Sequence, residues 1–104
     1  MTIDQFEAVC RGAQPAGAPA AVADSLPEPL RALYWDARGE WARAHAVAQG
    51  IMTTEGSLIH AYLHRKEGDA GNARYWYDRA GRPVHRGTLE EEWREIAAEL
   101  CART

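Results

Sequence analysis

Two histidines in the second half of the chain have the spacing that helical metal sites use. His60 and His64 lie in HAYLHRKEGD, so on a helix their imidazoles occupy adjacent turns and can share a Zn²⁺ ion. Glu67 follows on the same face, but about 10 Å along the axis from His60, too far to join a metal bound there. The sequence contains neither an HExxH motif nor a cysteine cluster. A third ligand would have to come from elsewhere, so we predict no metal ion and no cofactor.

The apolar pattern around these histidines predicts that both are partly solvated. On a helical wheel, His60 and His64 fall well off the centre of the buried stripe of their helix. That stripe consists of Leu58, Ile59, Tyr62 and Leu63. The alternative function that this pair leaves open is a small metal-dependent enzyme or ligand-binding protein centred on His60 and His64.

Arginines alternate with aromatic rings in RYWYDRAGRPVHR, a second segment with functional residue types. Tyr75 points away from the apolar face of its helix and has Arg79 one turn on, which predicts a cation–π contact on the outer surface. The same composition serves to stack and neutralise single-stranded nucleic acid. However, the net charge is −3 and four glutamates follow between positions 90 and 95. The sequence therefore does not favour nucleic-acid binding.

No arrangement typical of an enzyme can be recognised, since a Ser-His-Asp order, a Gly-rich phosphate loop and paired catalytic carboxylates are all missing from the pattern. Cys10 and Cys101 stand near opposite ends, where a disulfide could tie the terminal helices, but buried thiols of a reducing compartment are the expected state. The N-terminal MTIDQFEAVC carries acid where a secretory signal carries Lys or Arg. No apolar run approaches the ~20 residues that a membrane span needs. We therefore predict a cytoplasmic protein without a membrane partner, and a binding protein rather than an enzyme.

At 104 residues the chain fits a single domain with one core. Helical periodicity recurs throughout and no strand pattern is present, so the predicted fold is all-α with about six helices. Thr2 with Gln5 and Thr88 with Glu91 form capping boxes that open the first and the last helix. The predicted segments are a capping helix over 1–13, a Pro-, Gly- and Ala-rich linker over 14–27, two helical hairpins over 28–83 and a C-terminal capping helix over 88–102.

Aromatic residues must supply much of the buried area, because the strong aliphatic residues are few and each large ring can bury roughly 150–250 Å². Trp76 and Tyr77 fall on the apolar stripe of their helix and are predicted to be core residues. His45 lies between Trp41 and Ala48 on the apolar face of the preceding hairpin. We expect His45 to be a core residue that donates a hydrogen bond to a backbone carbonyl.

The two central hairpins echo each other in sequence. LYWDARGEWARAH and AYLHRKEGDAGNAR each contain a Tyr, then a Gly followed by an acid, then an Ala. In GDAGNARYWYDRAG, Ala73, Tyr77 and Ala80 have the spacing of the second helix of a repeat. The pattern resembles tetratricopeptide and Sel1-like helical hairpin repeats, in degenerate form. The run HAYLHR…EGD…NARYWYDRAG also resembles a small uncharacterised family of bacterial proteins, and this resemblance implies no activity.

The repeat resemblance implies two stacked hairpins with flanking capping helices, acting as a protein-interaction or scaffold module. The first helices of such repeats line a concave surface. Matching Tyr34 with Tyr62 sets Asp36 opposite His64, where a carboxylate would raise the imidazole pKa and orient the ring. The predicted binding groove consists of Trp35, Asp36, His60, His64 and Glu67, and the predicted outer patch consists of Tyr75 and Arg79. The expected partner is an unidentified protein, and exposed hairpin faces could also support a homodimer.

Overall fold

A computed structural model describes residues 1–12 and 18–103 of the chain. These residues contain seven α-helices and no strand, which confirms the all-α class. The additional helix lies within the predicted linker, while residues 13–17 and 104 lie outside the described residues. None of the described helices combines the length and the apolar character that crossing a membrane requires. The helices are α1 (Ile3–Arg11), α2 (Ala18–Asp24), α3 (Glu28–Ala37), α4 (Trp41–Gln49), α5 (Thr54–Glu67), α6 (Ala70–Ala80) and α7 (Leu89–Arg103).

Local capping sets several helix ends. Thr2 Oγ1 accepts a hydrogen bond from the Gln5 backbone at 3.1 Å, and Gln5 Oε1 accepts from the Thr2 backbone at 2.8 Å. Thr88 and Glu91 make the same reciprocal pair at the start of α7. Both predicted capping boxes are therefore confirmed. At a C-terminal helix end, Gly68 ends α5 at a φ of +91°, a left-handed conformation that favours glycine.

Helix α5 is the centre of the fold. It packs against α3, α4, α6 and α7, and every residue of the segment 58–64 is buried. Helices α3 and α4 form one hairpin and α5 and α6 the next, with α4 in contact with α5. Helices α1 and α7 pack against each other and against α3, where Phe6 stacks on Trp93 with ring centres 5.6 Å apart. Because α5 is covered by four helices, polar side chains on several of its faces are withdrawn from solvent.

Two buried carboxylates tie other helices to α5. Asp36 on α3 is 3% exposed and accepts hydrogen bonds from Tyr62 Oη at 2.7 Å and from Lys66 Nζ at 2.9 Å. Glu92 on α7 is 1% exposed and accepts from Arg65 at 2.8 Å and from Tyr77 Oη at 2.5 Å. Burial of charge is costly unless the charge is paired and hydrogen-bonded. Both networks meet that condition and fix the positions of α3, α6 and α7 around α5.

Candidate metal centre

Three histidines from two helices meet where α4 packs against α5. The ring centre of His45 lies 4.7 Å from that of His60 and 5.1 Å from that of His64. The rings of His60 and His64 are parallel, with centres 5.7 Å apart, as expected for residues on adjacent turns. One ligand nitrogen from each of the three lies within 4.8 Å of the other two. We call this group the histidine cluster.

The cluster is withdrawn from solvent. His60 is 4% exposed and His64 is 7% exposed, while His45 is half-buried. The prediction that His60 and His64 are partly solvated was therefore wrong. A helical wheel with one apolar stripe places them at its edge, but the neighbouring helices bury that edge as well.

Most ring nitrogens of the cluster have no hydrogen-bond partner. Within the described part of the chain, no hydrogen bond involves His45 or His60, so the predicted bond from His45 to a backbone carbonyl is not formed there. His64 is held differently, because its Nδ1–H donates to Glu67 Oε2 at 2.6 Å. Tyr34 Oη is the one fully buried side-chain atom of the described residues that lacks a hydrogen bond, so the ring nitrogens of His45 and His60 keep some contact with solvent. These two imidazoles are therefore accessible to a ligand.

Burial also keeps these imidazoles neutral. It lowers the pKa of His60 to about 4, with further lowering from the neighbouring His45 and His64. Burial likewise lowers the pKa of His45, and His64 contributes in the same direction. The neutral ring, with a lone pair on one nitrogen, is the form that binds a metal ion.

Two tryptophans hold the rings in place. Trp41 stacks on His45 with ring centres 4.9 Å apart, and Trp41 Nε1 donates a hydrogen bond to the Leu63 carbonyl at 2.9 Å. Trp76 stacks on His60 at 4.1 Å, with 17° between the ring planes. Trp76 packs against the core but is half-buried, so it is more exposed than predicted. The half-buried ring of Trp76 covers His60 from the α6 side.

Glu67 orients the third ring. A carboxylate on Nδ1 fixes the tautomer of His64 and leaves Nε2 as the nitrogen for coordination, the arrangement found around many metal-bound histidines. Ligand atoms of His64, Glu67 and Asp69 also lie within 4.8 Å of one another, but both of these acids are exposed. Exposed carboxylates are solvated by water, so they need no metal ion to offset their charge. The buried cluster, with two unpartnered rings, is therefore the stronger metal site.

The predicted groove does not form as one open surface. Four of its five residues are buried, and only Glu67 is exposed. Asp36 does not pair with His64, because its two oxygens are engaged by Tyr62 and Lys66. Trp35 is 8% exposed and packs edge-on against the neighbouring ring of α3. The structure thus brings His60, His64 and Glu67 together and places Trp35 and Asp36 in the core.

The outer patch has the predicted geometry. Tyr75 is 52% exposed, and the guanidinium carbon of Arg79 lies 5.8 Å from its ring centre. Arg79 Nη1 also donates to Tyr75 Oη at 3.3 Å. The predicted cation–π contact between these two residues is confirmed.

An open groove of about 430 Å³ adjoins the cluster on the His60 side, and we call it the His60 groove. It lies between the end of α4, the loop before α5 and the outer face of α6. Its lining comprises Ala48, Gln49, Ile51, Met52, Thr53, Thr54, Ser57, His60, Trp76 and Arg79. His60 therefore belongs both to the cluster and to the wall of an accessible groove.

His45 is the residue of the candidate site that the sequence pattern does not predict. Its position on the apolar face of α4 follows from periodicity, but its contact with His60 and His64 depends on how two helices pack. The available signal was compositional, because three of the chain's four histidines occur between positions 45 and 64. No known protein family, curated protein or solved structure matches the chain.

Proposed function

We propose that this protein binds a divalent transition metal through His45, His60 and His64 and uses the metal to hold a small ligand. The observation that carries the proposal is the meeting of three imidazoles, two of them without a hydrogen bond in the described residues. A metal ion would satisfy those rings at once. Glu67 would act through His64, by fixing the orientation of its ring.

The chemistry of the donor set narrows the choice of metal. Imidazole nitrogen suits zinc, copper, nickel and cobalt, whereas magnesium and calcium prefer oxygen ligands. Nitrogens bound to one tetrahedral zinc at 2.0–2.1 Å lie about 3.3 Å apart. The three nitrogens here lie within 4.8 Å of one another, so the rings would have to move closer together when the metal binds.

Three protein ligands also indicate the kind of metal site. Structural zinc sites use four protein ligands, whereas sites that act on a ligand keep a coordination position open. An open position on the metal can bind an exogenous group or polarise it as a Lewis acid. We therefore propose a ligand-binding or catalytic role for the metal.

Zinc binding to single-alanine variants tests this proposal. We expect one zinc per chain, measured by elemental analysis and by calorimetric titration of metal-free protein. His45→Ala, His60→Ala and His64→Ala should each weaken zinc binding by at least roughly 100-fold, because loss of one of three ligands leaves an incomplete set. His85→Ala is the matched control, since His85 contacts Glu95 outside the cluster.

Two results would refute the proposal. One is the absence of stoichiometric metal from the wild-type protein after titration. The other is a His45→Ala variant that binds zinc as tightly as wild type, which would reduce the site to the pair His60 and His64. Circular dichroism of each variant shows whether the helices are retained.

A protein-interaction role is the second candidate function. The paired hairpins α3–α4 and α5–α6 support it, as does the exposure of Tyr75 at the outer patch. We propose that this role is cytoplasmic. Affinity capture with wild-type protein and with Tyr75→Ala tests it, and native mass spectrometry tests for a homodimer. Capture of the same proteins by both forms would exclude the outer patch as the contact surface.

A further inference from the structure

The His60 groove differs in charge from three other grooves of the described surface. Three other grooves each have at least two acidic residues in their lining. The His60 groove has none, and Arg79 is its one formally charged lining residue. In a chain with a net charge of −3, a groove lined by a cation and no acid is suited to a negatively charged ligand.

The Arg79 side chain donates to Tyr75 Oη but has no carboxylate of the described residues within salt-bridge distance. Most other arginines of the described chain are paired with a carboxylate or bonded to carbonyls. Its guanidinium carbon lies 5.6 Å from the ring centre of Trp76. The guanidinium is a rigid fork of donors that matches the two oxygens of a carboxylate or phosphate.

Trp76 connects this cation to the metal centre. Its ring centre lies 4.1 Å from that of His60 and 5.6 Å from the Arg79 guanidinium carbon. The guanidinium is therefore less than ~10 Å from His60, a span that a flexible arginine and a small ligand can bridge together. Thr54 and Ser57 also line this groove, and a hydroxyl can donate a hydrogen bond to an anion.

We propose that the His60 groove binds a small oxyanion, a carboxylate or a phosphate, with one oxygen on the metal and its charge paired with Arg79. This inference rests on the proposed metal centre at the histidine cluster. It assigns the open coordination position to the side of the metal that faces the groove. It also gives Arg79 the role of a specificity residue, because a neutral ligand of the same shape would lack the ion pair.

Cobalt-loaded protein provides the test, because the visible spectrum of Co²⁺ responds to a change in its coordination. The probes are benzoate and inorganic phosphate, added separately at constant ionic strength in a non-coordinating buffer, with benzamide as the neutral counterpart of benzoate. We expect a saturable spectral change with benzoate or with phosphate and none with benzamide. The anion that binds identifies which of the two oxyanions the groove takes.

Arg79→Gln should retain Co²⁺ affinity and weaken binding of that anion by roughly tenfold or more, as expected for loss of a charged hydrogen bond. Arg74→Gln is the matched control, since Arg74 is exposed on the same helix and does not line the groove. If Co²⁺ binds but neither anion alters the spectrum, or if Arg79→Gln binds the anion as tightly as wild type, the inference is wrong while the metal centre stands. If Co²⁺ does not bind at all, both proposals fail.

Discussion

Replacement of Glu67 by glutamine is the most informative perturbation of the proposed metal centre, because it leaves the three candidate ligands intact. The carboxylate accepts the His64 Nδ1–H bond at 2.6 Å, and its side chain is 39% exposed. Outer-shell carboxylates on metal-bound histidines typically contribute roughly 10- to 100-fold to metal affinity. Solvent screening of the exposed carboxylate places the expected effect at the lower end. Glu67→Gln should therefore weaken zinc binding about tenfold, or about 1.4 kcal/mol.

Competition with a chelator of known affinity measures the change directly. Glu95→Gln is the matched control, because Glu95 holds His85 through a similar contact at 2.5 Å, away from the cluster. Both variants should retain wild-type stability in metal-free form within about 1 kcal/mol, since each replaces one solvent-exposed carboxylate that contacts a histidine. Equal zinc affinities for wild type and Glu67→Gln would contradict the role assigned to this carboxylate. A loss of affinity in Glu95→Gln as large as that in Glu67→Gln would show a general charge effect instead.

Three further predictions concern the fold around the site. In urea unfolding, Trp76→Ala should lower the free energy of unfolding by about 3 kcal/mol and Tyr75→Ala by less than about 1 kcal/mol, because only Trp76 packs on the core. Equal losses would contradict the orientation of α6. Burial and then a carboxylate raise the pKa of Tyr77 in the folded chain, so stability that is present below about pH 10 is lost as the pH rises. Tyr77→Phe should therefore lose less stability than wild type above that pH, and parallel pH curves would refute this. In thermal unfolding, Gly56→Ala should destabilise the protein by more than about 1 kcal/mol, because the added Cβ would overlap the preceding loop. Gly71→Ala has open space in a helix and should stabilise the protein by roughly 0.5–1 kcal/mol. The opposite order would show that the loop before α5 can move to accommodate the Cβ.

The helices and half of the candidate site could be predicted because their signals act within one or two turns. The capping boxes at Thr2 and Thr88 involve residues three apart, and both form as expected. The pairing of His60 with His64 follows from helical spacing alone. His45 is different, because it stands on α4 and reaches the pair only through the packing of α4 on α5. Periodicity within a helix carries no information on that packing.

The burial of His60 and His64 could not be predicted for a related reason. A helical wheel assumes that a helix in a small domain has one buried face and one solvated face. Helix α5 departs from this assumption, because four helices surround it and all of the segment 58–64 is buried. For Asp36, the predicted position is correct but the predicted partner is not. The alignment of the hairpins placed Asp36 near α5, but its carboxylate accepts from Tyr62 and Lys66 and not from His64.

The stacking of two indoles on the cluster gives the protein a built-in optical signal. Of the four tryptophans, Trp41 and Trp76 each lie face to face with a cluster histidine, while Trp93 stacks on Phe6 in the contact between α1 and α7. A copper or nickel ion among the imidazoles would quench the emission of the two indoles nearest to it. Intrinsic fluorescence can therefore follow occupancy of the centre in real time, and a variant that keeps Trp76 alone would isolate the signal from the groove side.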